Sequence, residues 1–316
     1  MKLRTEFPTG TLRTDAGFRA YVQHVQYLWT QTDGTKVSIT SDTGQIDVLT
    51  VTTPVPGTPA QNTLYWSGYN IFRINDGVDL DLRVKIEYGV AIGTTPTTNI
   101  GEPLLRATIG TGSNGSGTIT GIILDSFLLK GAAWGSPLTS RGTFYSYCCI
   151  LNGYFCFLMN VGGRGGTSPN TSYSNEAHVL IISQQKGGSG LTIMYTGAEN
   201  TGSNSDSNKF RDIVAVTRDL NDVTISTTPY TSIFFDIPVA GNTGISGSDI
   251  QIRNLEIPSI KGVYTDNNMI GYWQNDFTNQ SEHSIVVNGQ AGNFLFLTPA
   301  LRTTYPNFTN IAVRWE

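Results

Sequence analysis

Residues Thr143–Asn160 read TFYSYCCIL, then Asn152-Gly153, then YFCFLMN, and their reading decides the fold class. Two apolar runs flank a dipeptide that tolerates the positive φ of a type I′ turn, the strongest short-range signal for a β-hairpin. A two-residue register sets Leu151 opposite Tyr154, Ile150 opposite Phe155 and Cys149 opposite Cys156. Counting outward from the turn makes the cysteine pair a hydrogen-bonded one with the wider Cα separation, where a disulfide carries strain. Cys148, Cys149 and Cys156 are the only cysteines, and they read as free thiols suited to assembly in a reducing cytosol. All three sit in one hairpin with no histidine among them, so the spacing does not describe a metal site.

Working outward, a second hairpin is expected from Ala177–Gln184 and Leu191–Tyr195, and later strands at Asp212–Thr217, Ser232–Ile237, Ile250–Ile257, Ser284–Asn288 and Asn293–Thr298. Gly162–Asn175 and Gly197–Asn208 read as loops. Upstream, Gln45–Thr52, Tyr69–Asn75, Asp81–Gly89, Pro103–Gly110 and Thr118–Leu124 are short β-rich runs bounded by turn residues. In Asp81–Gly89, Leu82, Val84, Ile86 and Tyr88 alternate with Arg83, Lys85 and Glu87, which describes a strand buried on one face and wet on the other. One helical period stands apart. Phe18, Tyr21, Val22, Val25, Leu28 and Trp29 fall on one face of Asp15–Gln31, with Thr14 or Asp15 able to cap it and Arg19, Gln23 and Gln26 on the polar face.

The fold class is therefore mostly β, with antiparallel β-sandwich-type domains and one N-terminal amphipathic helix. The irregular stretch Asp125–Arg141 places a boundary that gives 1–130 as helix plus β domain for assembly and anchoring, and 131–316 as a β-sandwich-like domain.

Only 14% of residues are charged, against about 25% in an average soluble domain. The 35 glycines and the abundant Thr, Ser and Asn suit either a β-protein with many turns or a protein whose surface is largely covered by neighbours in an assembly, and the two are compatible. Net charge is −4 and no basic run occurs, which excludes a phosphate-backbone footprint and so a nucleic-acid partner. The N-terminus has no apolar core after its two basic residues, and no run of about 18 apolar residues is present, so neither a classical signal nor membrane insertion is expected.

Residue patterns that carry chemistry are sparse. Gly110, Gly112 and Gly115 match G-x-G-x-x-G, but Gly117 leads into TITGIIL, a β-type run, where a dinucleotide site needs a helix. Gly162–Gly166 lacks the Lys-Ser/Thr of a phosphate loop. His24, His178 and His283 form no ligand pair, and no nucleophile elbow marks a serine triad. Asp79 and Asp81 share a strand face, and Asp206, Asp212, Asp219 and Asp222 cluster, as glycan cleavage needs paired carboxylates, though solvated turn aspartates explain them equally. The reading is no enzyme, no catalytic residue, no cofactor and no metal. Tyr65, Trp66, Tyr272 and Trp273 are the candidate aromatics, able to stack on sugar rings or to fill a subunit interface.

Six runs in order carry a resemblance: Trp29–Thr32 (WTQT), Ser41–Asp47 (SDTGQID), Thr50–Pro54 (TVTTP), Tyr69–Asp76 (YNIFRIND), Val84–Gly89 (VKIEYG) and Thr108–Gly121 (TIGTGSNGSGTITG). Over residues 29–121 the chain resembles a family of tailed-bacteriophage virion proteins found among tail, baseplate and fibre components. The resemblance implies a structural component of the virion; the lack of a long helical or β-helical period, which a fibre shaft needs, points to a compact tail or baseplate associated component, as a fibre-anchoring subunit. The resemblance also implies assembly in the host bacterial cytoplasm, other virion subunits as partners, and a homo-oligomer; it brings no catalytic residues. The alternatives are a receptor- or glycan-binding tail fibre or spike module that takes a host surface glycan, and a capsid decoration protein.

Overall fold

The computed structural model describes residues 2–7, 14–61, 63–92, 102–129, 144–159, 178–184, 190–196, 213–219, 270–273, 281–287, 290–297 and 310–314. The expected strands at Ser232–Ile237 and Ile250–Ile257, both expected loops and most of the boundary stretch lie outside them. The elements run β1 (Lys2–Phe7), α1 (Asp15–Thr32), β2 (Val37–Ile39), β3 (Thr63–Asn75), β4 (Asp81–Ile92), β5 (Glu102–Ser113), β6 (Ile119–Leu129), β7 (Phe144–Leu151) and β8 (Tyr154–Met159). They continue with β9 (His178–Gln184), β10 (Gly190–Thr196), β11 (Ile213–Asp219), β12 (Ile270–Trp273), β13 (Ser281–Val287), β14 (Gln290–Leu297) and β15 (Asn310–Arg314).

Among the described residues the strands form three antiparallel sheets, ordered β2-β3-β4-β5-β6, β1-β7-β8-β9-β10-β11 and β12-β15-β14-β13. The described residues are mostly β with one N-terminal helix, as the strand spacing predicts. The β7–β8 hairpin has the register read from its turn, with Leu151 on Tyr154, Ile150 on Phe155 and Cys149 on Cys156, and Gly153 takes φ +69°. Every residue of β8 is buried. Its unbroken apolar sequence is the pattern of a strand covered on both faces.

On β4 the alternation resolves as expected: Leu82, Val84, Ile86 and Tyr88 enter the hydrophobic cluster, while Arg83, Lys85 and Glu87 stay half-buried. The cluster is continuous. It takes Phe72 and Ile74 from β3, Leu105 and Ile109 from β5, and Phe127 from β6. From the second sheet it takes Ile150, Phe155, Phe157, Ile182 and Ile193, together with the apolar face of α1. Strand pairing also crosses position 130, because β1 lies along β7 with Lys2 on Cys149 and Phe7 on Phe144.

Thr14 caps α1, its hydroxyl accepting the Gly17 N–H at 3.1 Å, a contact worth about 1 kcal/mol. Trp29 then joins the sheets. Its ring centroid lies 4.6 Å from Phe72 on β3, and 4.8 and 5.4 Å from Phe155 and Phe157 on β8. Rings at these spacings and tilts add about 1 kcal/mol per pair beyond the area they bury. At another point on the cluster Phe127 of β6 meets Tyr195 of β10 at 4.3 Å.

One expected strand is absent. Gln45–Thr52 is loop, because the Asp47 carboxylate accepts the Leu49 N–H at 2.9 Å and the Thr50 hydroxyl at 3.0 Å and closes a turn in mid-run. This loop covers the polar side of α1: Arg19 donates to the Val51 carbonyl at 3.3 Å and Gln23 to the Val48 carbonyl at 3.5 Å.

Candidate functional site

Charge and aromatic surface meet on the outward face of β3, β4 and β5. Trp66 lies over Gly89, and a Cβ at residue 89 would fall 2.6 Å from its six-membered ring. The glycine is therefore a seat for the indole. The Arg106 guanidinium sits 4.4 Å from the Trp66 ring centroid and is fixed by two 2.7 Å bonds to the two oxygens of Glu87. Tyr69 is held in a similar way, with Lys85 Nζ 4.2 Å from its ring centroid and its hydroxyl donating to the Thr43 carbonyl at 2.9 Å. Farther along, Asp81 takes a two-pronged contact from Arg73 at 2.8 and 2.9 Å and a third bond from Arg83 at 2.7 Å. The Arg73 guanidinium, with Arg83 behind it, holds the Asp81 carboxyl below its ordinary range.

The candidate aromatics separate on this frame. Tyr65 packs against the core, and its hydroxyl accepts the Ala60 N–H at 2.9 Å, so it anchors the preceding loop. Trp66, partly buried, packs with Leu64 on the buried Leu104, apart from the main cluster. Tyr272 and Trp273 belong to β12, paired with Ile311 and Asn310 in the four-stranded sheet. Tyr65 and Trp66 thus share a strand in one sheet and Tyr272 and Trp273 in another.

Two buried aspartates that the sequence did not single out tie the body together. Asp42 is 8% exposed. It accepts the Thr40 hydroxyl at 2.7 Å, the Ser113 hydroxyl at 2.8 Å and the Gly117 N–H at 3.4 Å, linking the segment after β2 to the β5–β6 turn. Asp76 is 5% exposed; its Oδ1 accepts the N–H groups of Val78, Asp79 and Leu80 at 2.8, 2.8 and 2.9 Å, and its Oδ2 accepts that of Gly153. Burial alone would raise both pKa values. Hydroxyls and amides outweigh it at Asp42, and at Asp76 the amides of Leu80, Gly153, Val78 and Asp79 do so, leaving both carboxyls below the ordinary range.

Asp79 lies in the β3–β4 turn, where the notion of a shared strand face with Asp81 fails. With its amide nitrogen turned toward the carboxylate, Gln184 donates to Asp79 at 2.9 and 3.1 Å. The carboxylates of this turn are thus engaged in binding the second sheet. Gly110 and Gly112 lie on β5 and Gly115 in the turn beyond it. A Cβ at Gly110 would strike the Ile119 side chain and the Thr120 carbonyl, so close strand pairing accounts for that glycine.

His24 Nε2 and Ser146 Oγ are 2.8 Å apart, the separation of a nucleophile and its base. Ser146 is wholly buried and His24 is 7% exposed, so the pair joins α1 to β7 where no substrate reaches it. Burial lowers the imidazole pKa to about 4. His178 and His283 lie on β9 and β13. Cys148, Cys149 and Cys156 are buried thiols outside any disulfide, and burial pushes the Cys148 and Cys149 thiols well up. Among the described residues no three His, Cys, Asp or Glu side chains come together as a metal cage, and no helix is long and apolar enough to cross a membrane.

No family model, no curated protein sequence and no solved structure matches the chain.

Proposed function

We propose that the chain is a structural subunit of a tailed-bacteriophage virion, seated at the tail or baseplate in several copies, where it anchors a fibre. In this reading the two larger sheets stack as a sandwich, and the protein works by packing against other virion subunits. The observation that carries it is how the six resembling runs assemble. Ser41–Asp47 lies along β3, with Ile46 N–H bonded to the Tyr69 carbonyl at 2.8 Å. Thr108–Gly121 reaches the same place, with the Thr43 N–H bonded to the Gly115 carbonyl at 2.9 Å and Ser113 bonded to Asp42. Trp29, Val84, Ile86 and Tyr88 supply the core beneath. The quoted residues are thus mutual packing partners, and a likeness spread over such a set is a likeness of a whole body.

The outward aromatics favour this reading over glycan capture. Arg106 and Lys85 stand over the rings of Trp66 and Tyr69, so a sugar stacking there would have to displace a paired cation, at a cost of about 1 kcal/mol or more. The test is association: the purified protein, alone and mixed with the tail proteins of the same particle, followed by sedimentation velocity. Oligomers or mixed complexes are expected, and a monomer that ignores every virion component would refute the reading. A glycan array run alongside separates the alternative, which requires binding that Trp66→Ala abolishes.

A further inference from the structure

Asn-Gly occurs three times, at Asn114-Gly115, Asn152-Gly153 and Asn288-Gly289, and the third pair lies outside the described residues. In a free chain such a pair modifies itself, because the unhindered glycine nitrogen can close on the asparagine side chain. Here Asn114 and Asn152 are exposed, so water has access to both. At Asn152 the turn withholds the nucleophile. The Gly153 N–H donates to Asp76 Oδ2, and this amide is buried. At Asn114 it is the side chain that is tied, its Oδ1 accepting the Ser116 and Thr118 N–H groups at 2.9 and 3.0 Å. The Asp76 carboxylate comes from a segment distant in sequence, and it is itself nearly inaccessible.

We propose that Asn152 is a latent self-modification site, held dormant by Asp76, which occupies the glycine N–H that the reaction must deprotonate. In the reaction the glycine nitrogen gives its proton to a solvent base and bonds to the asparagine Cγ. The Cγ–Nδ2 bond then breaks and ammonia leaves, forming a five-membered succinimide. Water adds to either ring carbonyl and yields aspartate or isoaspartate. A neighbouring carboxylate opposes the first step, because the nitrogen anion would form beside an existing negative charge. At Asn152 the product would place a new carboxylate in a turn that already rests on Asp76 and Asp79, and like-charge repulsion would loosen the junction of the two sheets irreversibly.

The experiment holds the full chain in mildly alkaline buffer and follows amide-to-acid conversion and isoaspartate at each site by peptide mass mapping. In the folded wild type, Asn152 should convert far more slowly than in the same chain unfolded in urea. Asp76→Ala should speed conversion at Asn152 about tenfold or more while leaving Asn114 unchanged. Asp76→Asn, which retains a weaker acceptor, should fall between. Slower conversion in Asp76→Ala would make the carboxylate a base and overturn the proposal. Equal acceleration at Asn114, Asn152 and Asn288 would also overturn it, as would wild-type conversion as fast as in urea.

Discussion

The Gly153 N–H donates to Asp76 Oδ2, so a carboxylate from the β3–β4 turn caps the turn of a hairpin in the other sheet. The same turn receives the Gln184 N–H on the Gly153 carbonyl at 2.8 Å. One aspartate thus closes its own loop with Oδ1 and docks a second sheet with Oδ2. Replacing it by alanine leaves several buried amides unpaired, each costing about 1 to 3 kcal/mol. Asp76→Ala is expected to lower stability by about 3 kcal/mol in urea unfolding; a loss below about 0.5 kcal/mol, the size of an ordinary surface change, would contradict the clamp.

Acid should unfold the protein in two stages. The buried imidazole of His24 has a pKa of about 4 against about 6.5 unfolded. The unfolded chain therefore binds more protons in between, and stability falls as pH drops from about 6.5 to 4, by about 3 kcal/mol in all. His24→Gln, which can still bond Ser146, should remove that slope. Asp76 and Asp42 act lower: their folded pKa values are depressed, so their contribution is present above about pH 4 and lost as pH falls through the folded values. Unfolding free energy measured across pH checks both stages.

Trp29 is the joint between helix and sheets, fully buried and in ring contact with Phe72, Phe155 and Phe157. Trp29→Ala should cost about 3 to 5 kcal/mol and Trp29→Phe clearly less. Calorimetry reads the difference, and equal losses would remove the ring contacts from the explanation.

On the outward face, Gly89→Ala should be destabilising by about 1 to 3 kcal/mol, since its methyl would occupy the place of the Trp66 indole and approach the Tyr65 carbonyl at 2.6 Å. A thermal shift measurement tests it. An unchanged midpoint would mean that Trp66 is not seated as described.

The three thiols should be inert in the native protein, because all three are buried out of reach and burial also keeps those of Cys148 and Cys149 protonated. Titration with an aromatic disulfide reagent should count none in buffer and all in denaturant. Fast native reaction would contradict the packing of β7 and β8.

What the sequence disclosed followed from how local the determinant was. Asn152-Gly153 fixes its hairpin register by itself, and the α1 stripe and the β4 alternation need only their own residues. The strand β1 escaped notice because its partner is β7, far along the chain, and nothing in KLRTEF specifies that pairing. Gln45–Thr52 misled because its β-prone residues lose to a single aspartate at position 47. The roles of Asp42 and Asp76 were illegible for a related reason. An aspartate within two residues of a glycine reads as a solvated turn, and only tertiary contact reveals which amides it receives. For Trp66 the sequence supplied an aromatic but not the guanidinium that covers it.

The most direct test of the central claim is imaging of the intact particle with an antibody against this chain. Label is expected at regular positions on the tail or baseplate, in a fixed number per particle. Particles devoid of label, with the protein left behind as free monomer in the lysate, would contradict it.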